Sequence, residues 1–131
     1  MFLHVMSDEE KGKFLEMVYK IANIDGEFAE EEQEIINSYK SETGVSVIPD
    51  TDNIDGLISY FSGTSDTLKK IILFEIVGLI NADDKIEKEE KLILDKLTEK
   101  FGLSEGNIEK IKSVAEKLKE VYDEIFDVLF D

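Results

Sequence analysis

Two stretches of this chain resemble each other and decide its fold: IANIDGEFAEEEQEIINSYKSETGVS at residues 21–46 and LINADDKIEKEEKLILDKLTEKFGLS at residues 79–104. At an offset of 58 residues, seven of the 26 aligned positions are identical. The identities fall on a turn, an acidic pair, an apolar face and a closing glycine: Asn23/Asn81, Asp25/Asp83, Glu31/Glu89, Glu32/Glu90, Ile35/Ile93, Gly44/Gly102 and Ser46/Ser104. Such a period indicates a duplicated unit. We predict a helix, an acidic turn and a helix in each copy, over about 12–46 and 70–104.

The rest of the chain also favours helices. Glu, Lys, Leu and Ile dominate, and Pro49 is the one proline, a composition typical of helical proteins. Apolar residues recur at helical spacing and predict helices over about 8–22, 29–43, 53–62, 66–81, 87–101 and 105–130. Residues 45–52 are expected to form a connection. We therefore expect one all-α domain over residues 1–131, a bundle of about six helices with a long C-terminal helix.

The C-terminal helix carries a wide apolar stripe. Apolar residues recur at spacings of three and four from Ile108 to Leu129, and Val114, Val121 and Val128 widen the stripe at intervals of seven. Two interpretations follow. The helix wraps the core of its own bundle, or it forms a seam for a second chain and makes a homodimer.

Composition excludes several classes of protein. The chain has no cysteine, which excludes disulfides and thiolate metal sites and suits a reducing compartment, so we expect a cytoplasmic location. The most apolar segment, residues 71–82, contains Glu75 and falls short of the roughly 20 residues that cross a bilayer. We expect neither a secretory signal nor membrane insertion.

The charge indicates the kind of partner. The formal net charge is −16, from 31 acidic and 15 basic residues. Phosphate backbones and anionic lipid surfaces repel such a protein. We expect no direct contact with nucleic acid and predict a protein partner with a basic surface.

Each repeated turn is also a candidate metal site. The pattern [IL]-x-N-x-D-x-x-[FI]-x-x-E-E is similar to an EF-hand calcium loop, but the first ligand position holds Ile21 in one copy and Leu79 in the other, which argues against an EF-hand. The carboxylates could still bind calcium, magnesium or manganese, the ions that prefer oxygen ligands. The alternative is that they cap helices and complement the helix dipole. The candidate ligands are Asp25, Glu31, Glu32, Asp83, Asp84, Glu89 and Glu90.

Three short segments resemble the TerB-like family, which includes the tellurite-resistance protein TerB and a domain of some DnaJ-type co-chaperones. They are ANIDGEFAEE at 22–31, NADDKIEKE at 81–89 and FGLS at 101–104. The family pattern is A-D-G-x-[IVF]-x-x-x-E with a later L-G-[LIV]-S. The resemblance implies an all-α bundle whose acidic residues coordinate a divalent metal or dock partners in stress-response assemblies. The matching positions are Asp25, Glu31, Asp83 and Glu89. This chain departs from the pattern in its second copy, where Asp84 replaces the glycine, and Lys85 stands where the first copy has Glu27.

The sequence gives little support to an enzyme. His4 is the one histidine, in an N-terminal segment that we expect to be frayed, and there is no cysteine or glycine-rich phosphate loop. Glu75 either faces solvent, pairs with a lysine, or is a buried functional carboxyl. Two functions remain: a non-enzymatic acidic interaction module, or an acidic inhibitor or nucleic-acid mimic that occupies a basic cleft. Charge clustered at the repeated turns favours the first, and charge spread evenly along one long face favours the second.

Overall fold

The computed structural model describes residues 1–24, 26, 29–82 and 88–130. Within these residues every regular element is helical. A 3-10 turn over Leu3–Val5 precedes α1 (Asp8–Ala22), α2 (Glu30–Thr43), α3 (Ile54–Ser62), α4 (Asp66–Ile80), α5 (Lys88–Phe101) and α6 (Glu105–Phe130). The predicted all-α bundle of about six helices with a long C-terminal helix is confirmed.

The 58-residue offset relates whole helices. Adding 58 to both ends of α1 gives both ends of α4, and adding 58 to both ends of α2 gives both ends of α5. The caps follow the same offset: the Ser7 hydroxyl accepts the N–H of Glu10, and the Ser65 hydroxyl accepts the N–H of Leu68, each at 3.2 Å. These hydroxyls satisfy a helix N–H that has no partner within the helix.

The first helix of each copy lies at the centre of the bundle. α1 packs against α2, α3 and α4, while α4 packs against α5 and α6 as well as α1. Four pairs of equivalent positions are fully buried on these two helices: Phe14/Ile72, Leu15/Leu73, Val18/Ile76 and Ile21/Leu79. Their spacing of one, three and three places them on one face of a helix. The duplicated core is therefore built from the same apolar positions in both copies.

The N-terminal segment is part of this core. Leu3 and Met6 are buried, while His4 between them is exposed. The expectation of a frayed N-terminus is therefore wrong for these residues, because two large apolar side chains hold the segment against the bundle.

Two helices end at glycines with left-handed backbone. Gly44 follows α2 with φ 78°, and Gly102 follows α5 with φ 63°. We expect Gly44→Ala and Gly102→Ala each to lower the free energy of unfolding by about 1–2 kcal/mol, because a Cβ disfavours this conformation. Urea denaturation measures the change. The matched control is Gly78→Ala, because Gly78 lies exposed inside α4 with open space around it. This substitution should raise the free energy of unfolding, since alanine favours a helix more than glycine does. Equal changes in unfolding free energy at all three sites would mean that the left-handed backbone of Gly44 and Gly102 is not the cause.

Glu16 fixes the connection between the copies to α1. Its side chain is 1% exposed, and its carboxylate accepts the backbone N–H of Thr51 at 2.6 Å and of Asp52 at 2.9 Å. The ammonium of Lys20 donates to the same carboxylate at 3.1 Å and also to the backbone oxygen of Asp52. With the Thr51 hydroxyl at 3.4 Å, the buried charge has four donors, which offset its loss of water.

A second ion pair holds the same connection. Lys13 Nζ lies 3.0 Å from the Asp52 carboxylate and 4.8 Å from the centre of the Tyr60 ring. One lysine on α1 therefore binds both the connection and α3, through charge and through a cation–π contact.

The Glu16 network should make stability depend on pH. Burial, the largest single influence, raises the pKa of Glu16, but the N–H groups of Asp52 and Thr51 and the Lys20 ammonium together bring this pKa below its ordinary 4.5. A carboxyl with a lowered folded pKa contributes stability that is present above the ordinary pKa and is lost as the pH falls through the folded pKa. We expect the difference in unfolding free energy between wild type and Glu16→Gln to be largest at neutral pH and to shrink in acid. Urea titrations from neutral to acid pH measure this difference in unfolding free energy. A difference that does not change with pH would mean that the Glu16 carboxylate is not the group that stabilises the fold.

The long helix α6 packs against the bundle over its first half only. Ala115 is buried and Ile108 and Ile111 are partly buried against the core, whereas every residue from 120 to 130 is exposed. The interpretation that this helix wraps its own core is therefore wrong for its second half. We call residues 120–130 the α6 arm. Across the described part of the chain, no helix combines the length and apolarity needed to span a bilayer.

Candidate functional site

The structure describes four of the seven predicted carboxylates at the repeated turns. Glu31 and Glu89 are exposed, whereas Glu32 is 5% exposed and Glu90 is 4% exposed. The predicted ligands Asp25, Asp83 and Asp84 lie outside the described residues. The same pair of adjacent glutamates thus has one exposed and one buried member in each copy.

The buried glutamates are not the ones that the family pattern selects. The TerB-like resemblance carries over to Glu31 and Glu89, but a step of one residue turns a helix by about 100° and brings Glu32 and Glu90 to the interior instead. In the first copy, Glu32 Oε1 accepts the backbone N–H of Ala29 at 3.3 Å. This is the backbone contact expected of a capping residue.

Among residues 1–24, 26, 29–82 and 88–130, no three Asp, Glu or His side chains converge closely enough to hold a metal ion. Every complete ligand set proposed from the sequence includes an aspartate outside these ranges. Metal binding at the turns therefore stays a prediction.

A groove of about 1040 Å³ opens beside the first turn, between the end of α1, the connection and α5. Three lysines line it, and two of these are paired with aspartates: Lys20 with Asp50 at 3.0 Å and Lys96 with Asp55 at 2.8 Å, the third being Lys40. The apolar side chains that line it are Ile24, Val47, Ile48, Pro49, Ile54 and Ile93. The groove thus combines an apolar lining with two ion pairs at its edge.

Glu75 is buried, at 8% exposure. Its carboxylate accepts the Tyr39 hydroxyl at 2.9 Å and the Met1 ammonium at 2.8 Å. Burial, and then the negative charge of Glu75, hold the pKa of Tyr39 well above its ordinary value. Of the alternatives drawn from the sequence, solvent exposure and a lysine partner are wrong. The carboxyl links α2, α4 and the N-terminal segment.

The α6 arm presents an uncovered apolar face. Seven of its large apolar side chains are 47–81% exposed: Val121, Tyr122, Ile125, Phe126, Val128, Leu129 and Phe130. The Phe126 and Phe130 rings contact each other, with centroids 4.7 Å apart. Monomeric proteins rarely expose contiguous apolar surface of this kind, and where it occurs it marks an interaction site.

Acidic side chains occupy the other side of the arm. At about 100° per residue, Glu120, Asp123, Glu124 and Asp127 lie on the side of the helix opposite Tyr122 and Leu129. The arm contains no lysine. It is therefore an amphipathic helix with an apolar face and a purely acidic polar face.

One feature was not identified from the sequence: Glu16 could have been suspected as a lone carboxyl in the apolar run Phe14–Val18. The arm was identified in part, through the valines at intervals of seven and the alternative that α6 forms a seam for a second chain. A stripe that also contains Val114, Val121 and Val128 is wider than one that packs against a single neighbour, and Val114 is 54% exposed even where α6 lies along the bundle.

No family model, curated protein or solved structure matches this chain. The resemblance to the TerB-like family therefore stays a prediction that rests on its motifs.

Proposed function

We propose that this chain is a non-catalytic protein-interaction module that docks its partner along the α6 arm. The uncovered apolar face of the arm is the observation that carries this proposal. Burial of such side chains is the main source of affinity in protein association. The bundle would serve as the folded base from which the arm projects.

The acidic side of the arm determines the chemistry of the partner. Four carboxylates on an arm without a lysine favour a surface with an apolar groove and a basic rim. Complementary charge at the rim of an interface increases the association rate and selects the partner, while the apolar centre provides most of the affinity. This agrees with the basic partner expected from the net charge.

A designed helical peptide tests the proposal. The probe carries leucines on one face and lysines on the other, and its binding to the full chain is measured by fluorescence anisotropy. We expect binding that weakens with salt and is lost in the double variant Val121→Asp/Ile125→Asp. Both residues are exposed, so thermal unfolding should show that the bundle is intact.

A peptide with the same leucines and with glutamates in place of lysines is the matched control, and we expect it not to bind. Equal binding of the two peptides would contradict the charge preference. Binding that survives the double variant would place the docking surface elsewhere.

Divalent-cation binding at the repeated turns is a second candidate. It is supported by the burial of Glu32 and Glu90 at equivalent positions beside the turns that carry Asp25 and Asp83. Thermal unfolding with and without millimolar calcium, magnesium or manganese tests it. A cation at about 100 times its dissociation constant adds roughly 2.7 kcal/mol to stability. No shift, or an equal shift in Asp25→Asn/Asp83→Asn, would reject this candidate.

The inhibitor or nucleic-acid mimic is supported less well. A mimic of a phosphate backbone needs negative charge at regular intervals along one face. Along α6, Lys110, Lys112, Lys117 and Lys119 lie among the carboxylates. The longest stretch of negative charge uninterrupted by lysine within α6 is thus residues 120–127, which span only about 10 Å of helix.

A further inference from the structure

We propose that the partner of the α6 arm is a second copy of this chain, paired antiparallel through α6. This inference rests on the proposed docking role of the arm and adds the identity of its occupant.

The apolar spacing is that of a coiled-coil seam. Residues alternate at intervals of three and four along α6, and they are Ile111, Val114, Leu118, Val121, Ile125 and Val128. These are a and d positions over three heptads, with Ile or Leu at each a and Val at each d. Val114, Val121, Ile125 and Val128 are at least 47% exposed, so these four positions are available to another chain, whereas Ile111 and Leu118 are half-buried.

The charge distribution determines the direction of pairing. All four lysines of α6 lie in residues 110–119, and residues 120–127 carry four carboxylates and no lysine. Two parallel copies would place the lysine-rich segments side by side and the acidic segments side by side. Two antiparallel copies place the lysine-rich segment of one helix beside the acidic segment of the other, which favours the antiparallel pair.

The same charges determine the register. In an antiparallel coiled coil that pairs Leu118 with Val121 of the second copy, the flanking Lys117 lies opposite Glu124 of the second copy, and the symmetry repeats this ion pair. A shift by one heptad toward the end of the arm would instead place Glu124 opposite its own counterpart. The first register is the favourable one.

The arm also lacks the packing that stabilises helices. Helical segments of about this length gain most of their stability from tertiary contacts, and residues 120–130 have no buried side chain. A second copy would cover this face. An antiparallel pair is related by a two-fold axis, so the association closes at two copies and does not continue into a filament.

Sedimentation equilibrium over a range of micromolar concentrations tests the inference. We expect a monomer–dimer equilibrium in the wild type and a monomer in Val121→Asp/Ile125→Asp. Lys117→Glu should raise the dissociation constant about tenfold, since it replaces two symmetry-related ion pairs by repulsions. The double exchange Lys117→Glu/Glu124→Lys should restore dimerisation. Failure of this rescue would overturn the proposed register.

Cross-linking tests the direction of the helices, since the chain contains no cysteine. In the proposed register, Val121 lies about 4.5 Å along the axis from its own counterpart, whereas Val128 lies about 25 Å from its counterpart. A short bismaleimide should therefore link Val121→Cys and leave Val128→Cys unlinked. Linking of both variants would show parallel helices and overturn the proposal.

The remaining outcomes separate the inference from the proposed function. A chain that stays monomeric and still binds the basic peptide has a different partner, so the second-copy inference fails and the docking role remains. A monomeric chain that binds neither peptide contradicts both. A monomer that binds zwitterionic lipid vesicles and no peptide would identify a membrane surface as the occupant and would also reject both proposals.

Discussion

The variant Glu16→Ala is expected to lose about 3 kcal/mol of unfolding free energy at neutral pH. The carboxylate, which is 1% exposed, is the shared acceptor for Thr51, Asp52 and Lys20, and its removal leaves the backbone N–H groups of Thr51 and Asp52 without this partner. Removal of one member of a buried charged network costs about 3–5 kcal/mol, and we expect the lower end because Lys20 keeps its pairing with Asp50. Urea denaturation followed by circular dichroism measures the loss.

A glutamate on the surface provides the control for Glu16. Glu34 is exposed on α2, so Glu34→Ala should change stability by no more than about 0.5 kcal/mol. Similar losses at both positions would mean that the connection is not held by Glu16. The peptide-binding experiment should be unaffected, because the arm is exposed and Glu16 is in α1.

The other large effect is expected from Phe14→Ala, at about 3–5 kcal/mol. Phe14 is fully buried. Its ring packs edge-to-face with the ring of Tyr39, and the two centroids are 5.2 Å apart. Truncation would leave a cavity beside Tyr39, whose hydroxyl donates to Glu75. Thermal and urea unfolding measure the loss. We expect a loss of this size because the surrounding side chains fill such a cavity only in part.

Two further alanine variants make this prediction specific to the core. Ile72, at the equivalent position of the second copy, is also fully buried, and Ile72→Ala should cost about 2–5 kcal/mol. Val121→Ala removes an apolar side chain from the exposed arm, and at concentrations where the chain is monomeric it should have little effect. A large loss at Val121 under those conditions would mean that the arm contributes to the bundle.

The helices were predictable because their signals are local. Ser7 and Ser65 precede the helices that they cap, and Gly44 and Gly102 follow the helices that they end. Each signal acts through the backbone within a few residues. The internal repeat strengthened these predictions because each boundary occurs twice.

The features that escaped prediction depend on distant contacts. The backbone partners of Glu16 lie 35 and 36 residues along the chain, so no local pattern indicates that this carboxyl is satisfied. Whether Glu31 or Glu32 turns inward depends on the rotation of α2 against the bundle. The apolar stripe of α6 indicates that a helix face requires a cover, but the pattern alone does not say that its own bundle covers only the first half.

Each repeated pair of helices is followed by one further helix, and these two helices differ in length. α3 has nine residues and α6 has 26, and each packs against the first helix of the pair before it. The additional length of α6 adds exposed surface over residues 120–130 and contributes no buried residue. The buried positions that hold the bundle and the exposed apolar positions of the arm thus lie in different parts of the chain. If the arm is the docking surface that we propose, shortening α6 after Lys119 should leave a smaller protein that still folds but no longer associates.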